Sequence, residues 1–477
     1  METKSSAKEM EFKVFNDSVH GHMEMHPLCV KIIDTPEFQR LRNIKQVGLT
    51  YLVYPGAAHN RFEHSLGVCY LAGEMVEALK KNQPDLNINE VDKLCVQIAG
   101  LCHDIGHGPF SHLWENFLKQ KGLKWHHEDQ SVVMFNHLLE KNDLIGEFEK
   151  YGLHECERRF ITELILGKGD SCDQGKEFLF QIVCNQTNSI DVDKWDYLMR
   201  DGLHLNLKVS FDYQRVLKFC RVIEKEECGK KTLHIGFRNK EAYNLYEMFV
   251  VRATLHYRAY QHRVVVLLTQ MVVDAFLAAD DHFIFKLDGN IVYKLSQAHE
   301  KPEIWTNLTD NIFYEILGSY TNELATAKDI LNLILRRKLY KFIASINVVP
   351  SEYFKLQNKF WMDSVQKKLE NKLNSETSCG NNSNRYLILF SSFYLGSNCP
   401  EPFRHVYFYD KDNPNRGVEK DWKDIALFPI CQETAHHVEF YLFDKEQNGS
   451  IAEEAEAKCV FEKYMGSIMN GGVYNGS

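Results

Sequence analysis

The chain has 477 residues, 44% hydrophobic and 12% aromatic, a composition that supports a substantial buried core and excludes a disordered chain. Its formal net charge of -9 excludes a general attraction to nucleic acid or anionic membrane, so any polyanion must meet local basic clusters. The 13 cysteines form no CxxC pair, which indicates reduced thiols in a cytoplasmic or nuclear protein. No apolar run approaches the ~20 residues of a membrane span, so no membrane partner is predicted.

The first 345 residues carry mainly helical patterns. Residues 1–12 are polar and are predicted to be disordered. Thr35 and Pro36 suit the cap and first turn of a helix in DTPEFQRLRNIKQVG, whereas LTYLVYP (49–55) is typical of an extended segment. The pattern over 240–281 is helical and long enough to bend or break. Apolar residues at helical spacing predict the remaining helices over 61–81, 88–106, 128–142, 189–205, 309–320 and 323–346.

The character of the chain changes after about residue 345. A polar loop is predicted over 375–384, and strand-like runs follow in RYLILFSSFYLG, FRHVYFYD and HHVEFYLFD. The predicted fold is therefore mainly α, with a helical core at 13–345 and a small α+β C-terminal lobe at 346–465. The glycine-rich tail at 466–477 is predicted to be disordered.

Candidate metal ligands lie in three of the predicted helices. LCHDIGHGPFSH (101–112) holds His103 and Asp104 at a helix end, while His64 and Asp193 lie in two other helices. Imidazole and carboxylate suit zinc, iron or manganese, and four such ligands leave positions open for water and substrate. The alternative is that each polar residue only caps a helix or faces solvent. The four together favour a metal, because a buried His-Asp pair without a ligand is costly.

Several long motifs carry a family resemblance in the expected order. NRFEHSLGV, LCHDIGHGPFSH and DVDKWDYLMRD resemble the H…HD…D signature of HD-domain phosphohydrolases. With IDTPEFQRLR, VYPGAAHNRFEHSLG, CVQIAGLCHD, TDNIFYEIL and LHYRAYQHR, residues 13–341 are similar to the sterile-alpha-motif and HD-domain-containing deoxynucleoside triphosphate triphosphohydrolases. FYDKDNPNR is a weaker match in the lobe. Because the chain begins close to the matched core, no sterile-alpha-motif domain is expected within it.

The resemblance implies an HD-domain helical core that hydrolyses a dNTP to deoxynucleoside and inorganic triphosphate. One transition metal would be held by His64, His103, Asp104 and Asp193, with Mg²⁺ beside the phosphates. The implied catalytic residues are His107, His112, His127 and Glu115. We favour His112 as the acid, since the pKa of histidine suits proton transfer near neutral pH. Glu115 replaces the usual Asp of the family and is one methylene longer.

The resemblance also implies a substrate pocket. Cationic side chains would hold the phosphates, Gln46 and Asp201 would contact the 3′-hydroxyl, and Tyr260 would exclude ribonucleotides by filling the space at C2′. Val47 replaces the usual Leu near the sugar. Core packing remains the alternative for the two tyrosines, and a solvated surface for the cations. The implied substrate residues are Gln46, Val47, Arg61, Lys194, Tyr197, Asp201, Arg252, His256, Tyr260 and Gln261.

Family members are tetramers assembled by nucleotides, so the resemblance implies a homotetramer activated by GTP and dNTP. Tyr54 and Arg263 depart from the usual Phe and Lys, and a solvated charged face is the alternative for each cation. The implied GTP site comprises Lys13, Val14, Asn16, Asp34, Gln39, Arg42 and Arg337. The implied dNTP effector site comprises Val53, Tyr54, Arg221, Arg238, Lys240, Asn244, His262, Arg263 and Lys411.

Two other functions stay open from the sequence. The first is an HD-family phosphodiesterase or nuclease, against which the residues expected to face deoxyribose argue. The second is a catalytically silent protein that binds nucleotides or single-stranded nucleic acid through basic stretches such as RRKLYK and RVLKFCR. The four intact candidate metal ligands argue against it, although nucleic-acid binding is compatible with the enzyme.

Overall fold

The structure is a computed structural model that describes residues 12–170, 175–227, 230–287, 291–348, 358–377, 385–396, 403–427, 436–446 and 449–469. Its α-helices are α1 Pro27–Ile33, α2 Pro36–Gln39, α3 Arg61–Asn82, α4 Glu90–Cys102, α5 His112–Gln120, α6 His127–Lys141, α7 Ile145–Lys150, α8 Glu155–Leu166, α9 Phe180–Val183, α10 Val192–His204, α11 Tyr213–Lys218, α12 Ala242–Leu255, α13 Arg263–Ala279, α14 Pro302–Asn307, α15 Ile312–Gly318, α16 Ala325–Leu335, α17 Asn358–Glu376 and α18 Ile451–Met469. Its strands are β1 Lys13–Asp17, β2 Gly21–Met25, β3 Arg221–Glu227, β4 Lys230–Arg238, β5 Ile284–Lys286, β6 Val292–Lys294, β7 Lys341–Asn347, β8 Tyr386–Tyr394, β9 Tyr407–Asp410, β10 Asn413–Glu419 and β11 His436–Asp444.

The helix predicted after Thr35 is shorter than the pattern suggested. The hydroxyl of Thr35 caps α2 by accepting the N–H of Phe38 at 3.4 Å, and a 3₁₀ turn over Arg40–Asn43 follows. The turn points Arg40 inward, where its guanidinium donates to backbone carbonyl oxygens of distant segments. Tertiary hydrogen bonds therefore replace the continuation of the helix.

The prediction of an extended segment at 49–55 is wrong, because Gly48–Leu52 forms a 3₁₀ helix. Gly48 has a φ of +53°, and a Cβ there would lie 2.9 Å from the carbonyl oxygen of Phe110. The glycine thus allows this segment to turn back and pass close to the loop over 103–111.

Helices α3, α4, α8 and α10 form the centre of the helical core. The strong start signals are capping boxes at α3, between Asn60 and Glu63, and at α4, between Asn89 and Asp92. The side chain of Asp191 caps α10 by accepting the N–H of Lys194 at 3.1 Å. These caps fix where α3, α4 and α10 begin. Helix α4 ends at Cys102, directly before the candidate ligands His103 and Asp104.

The long helical pattern at 240–281 breaks, as its length allowed. Helix α12 passes into a π-helical turn over His256–Tyr260 and then into α13. In the part of the chain that the structure describes, no single helix is long and apolar enough to cross a membrane. Asn239–Tyr260 and Arg263–Ala279 pass such a test only as a pair, by length and composition, and they bend by 58°.

The helix predicted over 323–346 ends at Leu335. Arg337 adopts a left-handed φ of 56°, which stops α16, and Lys341–Asn347 forms β7. Strand β7 pairs antiparallel with β11, which pairs antiparallel with β8, so the lobe begins before the predicted boundary at 346. The helical prediction is therefore wrong for 341–346, because strand pairing overrides local helical spacing.

The lobe packs α17 and α18 on this sheet around a small apolar core that includes Leu369, Phe440 and Phe461. Residues 375–376 belong to α17 and 466–469 to α18, so the predicted loop and tail are wrong at those positions. The predictions for 1–11, 378–384 and 470–477 lie outside the described residues.

Strands β10, β3, β4 and β9 close a small barrel that joins the helical core to the lobe. The hairpins β1–β2 and β3–β4 were not predicted, since their sequences lack strong apolar alternation. The predicted class, mainly α with a small α+β C-terminal lobe, is confirmed.

Candidate metal centre and nucleotide pocket

Two histidines and two carboxylates converge where α3, α4 and α10 meet. His64 lies in the first turn of α3, His103 and Asp104 directly follow α4, and Asp193 lies in the first turn of α10. The Nε2 atom of His64 lies 3.1 Å from Oδ1 of Asp193 and 3.4 Å from Oδ2 of Asp104. Nε2 of His103 lies 3.6 Å from Oδ1 of Asp193. This His/Asp cluster suits a divalent metal.

The ring nitrogens that face away from the cluster are both engaged. Nδ1 of His64 lies 2.7 Å from Oδ2 of Asp196, and Nδ1 of His103 lies 2.8 Å from the carbonyl oxygen of Gly100. Because carboxylate and carbonyl only accept, each Nδ1 carries the proton and each Nε2 directs its lone pair into the cluster. Both Nε2 atoms are buried without a hydrogen-bond partner among the described residues. The residues therefore fit a bound cation.

Asp196 is fully buried and fixes this arrangement from behind. Besides His64, it engages Nε2 of His20 at 2.7 Å and Nε of Arg200 at 2.9 Å. Gly67 makes room for it, because a Cβ there would lie 1.8 Å from Oδ1 of Asp196. Burial alone would raise the pKa of Asp196, but the charge of Arg200 and the histidine hydrogen bonds hold it well below its usual range. The carboxylate therefore stays ionised as the acceptor for the imidazole.

Sequence reasoning missed Asp196 and a second supporting residue, His59. Asp196 lies one turn after Asp193 on α10, so helical spacing was a usable signal. His59 places Nε2 2.6 Å from Oδ1 of Asp201, a contact across 142 positions for which the sequence holds no local signal.

The electrostatics of the cluster favour a cation. Burial alone would lower the pKa of His64, but its carboxylate neighbours raise it to about 10. Burial alone would raise the pKa of Asp104 and of Asp193, yet the charge of Arg61 lowers the first and the close contacts of His103 and His64 lower the second. The carboxylates are thus ionised at neutral pH, and a metal ion would satisfy the charge that protons otherwise supply.

A row of side chains leads from Asp104 toward solvent. The imidazoles of His107 and His127 stack with centroids 3.9 Å apart, and Nε2 of His107 lies 3.2 Å from Oδ1 of Asp104. Oε1 of Glu115 lies 2.6 Å from Nδ1 of His127 and 3.5 Å from Nδ1 of His112. The longer side chain of Glu115 therefore reaches a histidine of the row with a short hydrogen bond.

The histidines of this row differ in charge state. Burial, together with the charges of Arg61 and His127, holds the pKa of His107 well below its usual range. Burial opposes the charged form of His127 too, but the hydrogen bond with Glu115 raises its pKa. The side chain of His112 is 69% exposed. The row thus joins a neutral buried imidazole to two histidines that share one carboxylate.

Arg61 connects the cluster to the predicted sugar-contacting segment. Its guanidinium pairs with the carboxylate of Asp104, donates from Nε to Oγ of Ser111 at 2.8 Å and reaches the carbonyl oxygen of Gln46 at 3.4 Å. Oε1 of Gln46 is buried with no hydrogen-bond partner in the described part of the chain. Val47 is half-buried beside it. An amide oxygen is thereby left free to accept a hydrogen bond from a ligand.

Asp201 is engaged on both oxygens. The hydroxyl of Tyr260 donates to Oδ2 of Asp201 at 2.5 Å, on the opposite side from His59. Burial and the neighbouring Asp201 hold the pKa of Tyr260 well above its usual range, so the phenol keeps its proton. Tyr197 lies one turn before Asp201 on α10, half-buried. The structure therefore brings three predicted sugar-pocket residues to one wall.

Strand β8 of the lobe contacts two other predicted substrate residues. The guanidinium of Arg252 donates to the carbonyl oxygens of Tyr394 and Gly396 at 3.1 and 3.2 Å. The amide of Gln261 accepts the N–H of Ser392 at 2.6 Å and donates to its carbonyl oxygen at 2.9 Å. These side chains are bound by protein backbone, in place of the substrate expected from the sequence.

His256 and Lys194 also have protein partners. The ring of His256 stacks on Phe393 of β8 with centroids 5.7 Å apart. Nζ of Lys194 lies 3.3 Å from Oδ2 of Asp191, and that charge raises the pKa of Lys194 although burial opposes it. Lys194 is therefore a fully charged cation two turns from Asp201 on the same helix.

The seven predicted GTP-site residues are spread over several elements, three of them on β1, and within one chain the structure does not gather them. The guanidinium of Arg42 stacks 3.5 Å over the ring of Phe62 and donates to Oε1 of Gln39 at 2.8 Å. Arg337 donates to the carbonyl oxygen of Leu52 at 3.2 Å. Asp34 ends α1. Among the described residues, no hydrogen bond links these side chains to the β1 residues Lys13, Val14 and Asn16.

The predicted dNTP effector residues form two groups. In the first, Tyr54 and His262 meet edge to face at 6.3 Å, and the guanidinium of Arg263 lies 3.8 Å over Phe342. The hydroxyl that distinguishes Tyr54 donates to the carbonyl oxygen of Arg258 at 2.6 Å. These three residues line a cavity of about 320 Å³ that also reaches the lobe, and Val53 precedes them.

The second group lies at the barrel. Arg238 on β4 is opposite Tyr409 of β9 in the strand register, and Arg221 lies 5.9 Å over the same tyrosine ring. Asn244 donates to the carbonyl oxygen of Asp212 at 2.9 Å. Lys240 and Lys411 are exposed nearby, in the turn after β4 and the turn after β9.

Known proteins resemble this chain across most of its length. A model of the HD domain matches residues 61–198. The chain is 45% identical over 427 residues to the deoxynucleoside triphosphate triphosphohydrolase SAMHD1 of Homo sapiens and 46% identical over 429 residues to that of Gallus gallus, and each match covers 85% of this chain. Over 428 residues, 84% of this chain and 85% of the relative, it is 32% identical to the putative HD domain-containing protein L394 of Acanthamoeba polyphaga mimivirus.

The matches cover 66% and 68% of the two animal relatives. The chain therefore spans about two thirds of their length.

Proposed function

We propose that this chain, which belongs to the family of SAMHD1 deoxynucleoside triphosphate triphosphohydrolases, converts a dNTP and water into a deoxynucleoside and inorganic triphosphate. The observation that carries the proposal is the environment of two buried Nε2 atoms, on His64 and His103. Both atoms face two carboxylates, and neither has a hydrogen-bond partner among the described residues. Such a site suits a hydrolytic metal beside a phosphate.

One transition metal, zinc, iron or manganese, would be held by His64, His103, Asp104 and Asp193, and Mg²⁺ would accompany the triphosphate. Bound there, the metal would polarise a phosphate oxygen and lower the pKa of water. The chain supplies ionised carboxylates and Nε2 lone pairs, because Asp196 and the carbonyl of Gly100 hold the protons on the other ring nitrogens.

Proton transfer would fall to the histidine row. His112 is the exposed member and can deliver a proton to the leaving 5′-oxygen, with Glu115 holding its ring and that of His127. His127, whose pKa is raised, suits contact with a phosphate. His107, held neutral by burial and cationic neighbours, offers a hydrogen bond without adding charge.

The pocket would hold the nucleotide at both ends. Arg61 and Lys194 lie near the cluster as phosphate-binding cations, and Arg252 would join them once its bonds to β8 are exchanged for phosphate. Asp201 and the free Oε1 of Gln46 would accept the 3′-hydroxyl. Tyr260, locked to Asp201, would reject a 2′-hydroxyl by filling its space.

Activation would need more than one copy of the chain. The predicted GTP residues are mostly exposed, those on β1 share no hydrogen bond with the others among the described residues, and the predicted dNTP effector residues form two groups. We expect GTP and dNTP to join these parts between subunits of a homotetramer, with Asp34 accepting from guanine. Activity would then rise with effector and with protein concentration.

The experiment incubates purified protein with dGTP alone and then with GTP plus each dNTP, and follows inorganic triphosphate by chromatography. We expect triphosphate and deoxynucleoside in equal amounts, lost in the double variant His103→Ala, Asp104→Ala. His126→Ala is the matched control, because His126 is exposed and begins α6 outside the cluster.

Two outcomes would count against the proposal. Release of monophosphate or pyrophosphate would indicate another HD-family phosphohydrolase. No product with any divalent metal or effector, together with retained binding of nucleotide or single-stranded nucleic acid, would indicate a binding protein.

A further inference from the structure

Asp310 joins three segments of the core through the backbone. Its Oδ1 accepts the N–H of Phe110 at 2.6 Å, and its Oδ2 accepts the N–H of Lys45 at 2.8 Å. Its own N–H donates to the carbonyl oxygen of Asn43 at 3.1 Å. A single carboxylate in the loop before α15 therefore holds two segments that are 65 positions apart in the sequence.

Both of these segments carry proposed active-site residues. Lys45 directly precedes Gln46, and Phe110 lies two positions before His112. The two segments also bond to each other, because Oγ of Ser111 donates to the carbonyl oxygen of Lys45 at 2.7 Å. A shift of either backbone would thus move a sugar contact relative to the proton donor.

The turn held by Asp310 is a strained one. Phe110 and Ser111 have φ angles of 56° and 60°, in the left-handed region that side chains other than glycine rarely adopt. Such a conformation persists only where surrounding bonds impose it. The bond from Asp310 to Phe110 N–H and the bonds of the Ser111 hydroxyl to Lys45 and Arg61 provide that constraint.

Arg40 holds the same junction from the other side. Its buried guanidinium donates to the carbonyl oxygens of Ile105 at 3.0 Å, His107 at 2.8 Å and Leu308 at 3.1 Å. Arg40 therefore connects the loop before α15 to the loop over 103–111 and places a positive charge near Asp310. Asp310 and Arg40 thus bond to backbone groups, and these bonds fix where the two segments lie without taking part in the reaction.

We propose that Asp310 is a positioning residue, which holds the Gln46–Val47 segment in register with the turn that carries His112. The inference rests on the proposed function, since it concerns the sugar contact and the proton donor of that reaction. Without the carboxylate, the turn at Phe110–Ser111 would relax toward negative φ, and Gln46 would lose its fixed distance from the acid.

The test compares wild type with Asp310→Asn, which keeps one acceptor oxygen but turns an amide N–H₂ toward the other backbone N–H. We expect kcat/KM for the preferred dNTP to fall about ten- to a hundredfold, because misplacement by ~1 Å has effects of that order. We also expect the ratio of dNTP to 2′,3′-dideoxynucleotide turnover to fall about tenfold, because Gln46 is the proposed contact of the 3′-hydroxyl and loses its register. Metal content, which the cluster sets, should stay equal to that of wild type.

Asp280→Asn is the matched control. Asp280 is also a buried carboxylate that accepts a backbone N–H, from Ser296 at 2.7 Å, but it follows α13 and, within the part of the chain that the structure describes, contacts no proposed site residue. It should lower the melting temperature without changing the ratio of dNTP to 2′,3′-dideoxynucleotide turnover.

The outcomes separate this inference from the proposed function. Absence of dNTP hydrolysis by wild type would refute the function. If wild type hydrolyses dNTP but Asp310→Asn has an unchanged kcat/KM and an unchanged ratio of dNTP to 2′,3′-dideoxynucleotide turnover, only the positioning role is refuted. If Asp310→Asn fails to fold, Asp310→Glu takes its place, because the longer side chain keeps the charge but shifts both acceptor oxygens, and an unchanged ratio of dNTP to 2′,3′-dideoxynucleotide turnover in that variant would overturn the inference.

Discussion

The metal cluster and the predicted GTP positions differ in how the chain holds their side chains. In the cluster each histidine has one nitrogen bound to a buried acceptor, so the other nitrogen is aimed before any ligand arrives. The predicted GTP residues are mostly exposed, and their side chains bond to different neighbours: Arg42 donates to Gln39, and Arg337 donates to the carbonyl oxygen of Leu52. The candidate ligands of the first site all come from one chain, whereas the proposed GTP site would draw on a second copy of the chain.

This difference has a direct consequence for solution behaviour. Metal binding should not depend on protein concentration, since all four candidate ligands come from one chain. Response to GTP should depend on it, because an effector bound between subunits stabilises only the assembled state. The predictions below test each half of that contrast.

The largest effect is expected from Asp196→Asn. An amide cannot reproduce the charged acceptor that orients His64, so metal affinity should fall about 10- to 100-fold and activity with it. Metal retained during dialysis against a chelator is the measurement. Asp92→Asn is the control, because Asp92 caps α4 and binds Lys176 away from the cluster. Equal metal retention in both variants would contradict the role of Asp196 in orienting His64 for the metal.

Glu115→Gln tests the proton-transfer row without touching the cluster. Burial alone would raise the pKa of Glu115, but its hydrogen bonds with His112 and His127 lower it, so the residue is a carboxylate whose charge the amide removes. We expect kcat to fall about a hundredfold, within the usual range for general acid–base catalysis. Metal content should not change. Glu115→Asp keeps the charge and should retain more activity than Glu115→Gln; equal loss would argue against a charge role.

Arg42→Ala tests the other half of the comparison. Loss of a cation expected to hold a GTP phosphate should raise the GTP concentration needed for half-activation about tenfold, the effect of one charge-assisted hydrogen bond. Arg336→Ala is the control, because Arg336 is exposed, directly follows α16 and is not among the predicted GTP-site residues. A titration of activity with GTP checks both, and equal curves would remove Arg42 from the effector site.

The smallest effect is expected from pH, and it concerns Asp310. Burial raises the pKa of Asp310 to about 7, although the hydrogen bonds from Phe110 and Lys45 and the charges of Lys45 and Arg40 oppose the shift; Tyr51 is the other titratable group that faces it. A raised folded-state pKa gives stability that is complete below the unfolded value of 3.8 and is lost as pH rises through 7.

Activity should change in the opposite direction, because only the ionised carboxylate accepts both backbone N–H groups. As pH rises through 7, wild type should therefore gain activity and lose stability. In Asp310→Asn both slopes should flatten. Melting temperature and kcat, each measured across pH ~5.5 to ~8.5, check the two directions. Parallel slopes in wild type would contradict the assignment.

The sequence predicted the family and the main helices, because both leave local signals. The family is confirmed by the similarity to the SAMHD1 proteins, and α3 lies where the pattern from Arg61 placed it. The H…HD…D spacing brought together the candidate ligands that the structure places within one cluster, although their roles stay predictions.

What the sequence could not predict depends on contacts between distant positions. Asp196 meets His64 across 132 positions, and Asp310 meets Phe110 across 200. Strand β7 has the apolar spacing of a helix and becomes a strand because β11 pairs with it. The bond between Arg252 and β8 likewise has no local signal, since backbone carbonyls carry no sequence information.

That last contact bears on how the protein can be divided and how it can evolve. Strand β8 completes the lobe sheet and also supplies carbonyl and amide groups to Arg252 and Gln261 in the helical core. The catalytic core is consequently not a separable module: a truncation before β7 would remove those bonds and leave two pocket side chains to find new ones. Drift in the lobe sequence is thus able to tune nucleotide handling without altering any residue of the HD motif.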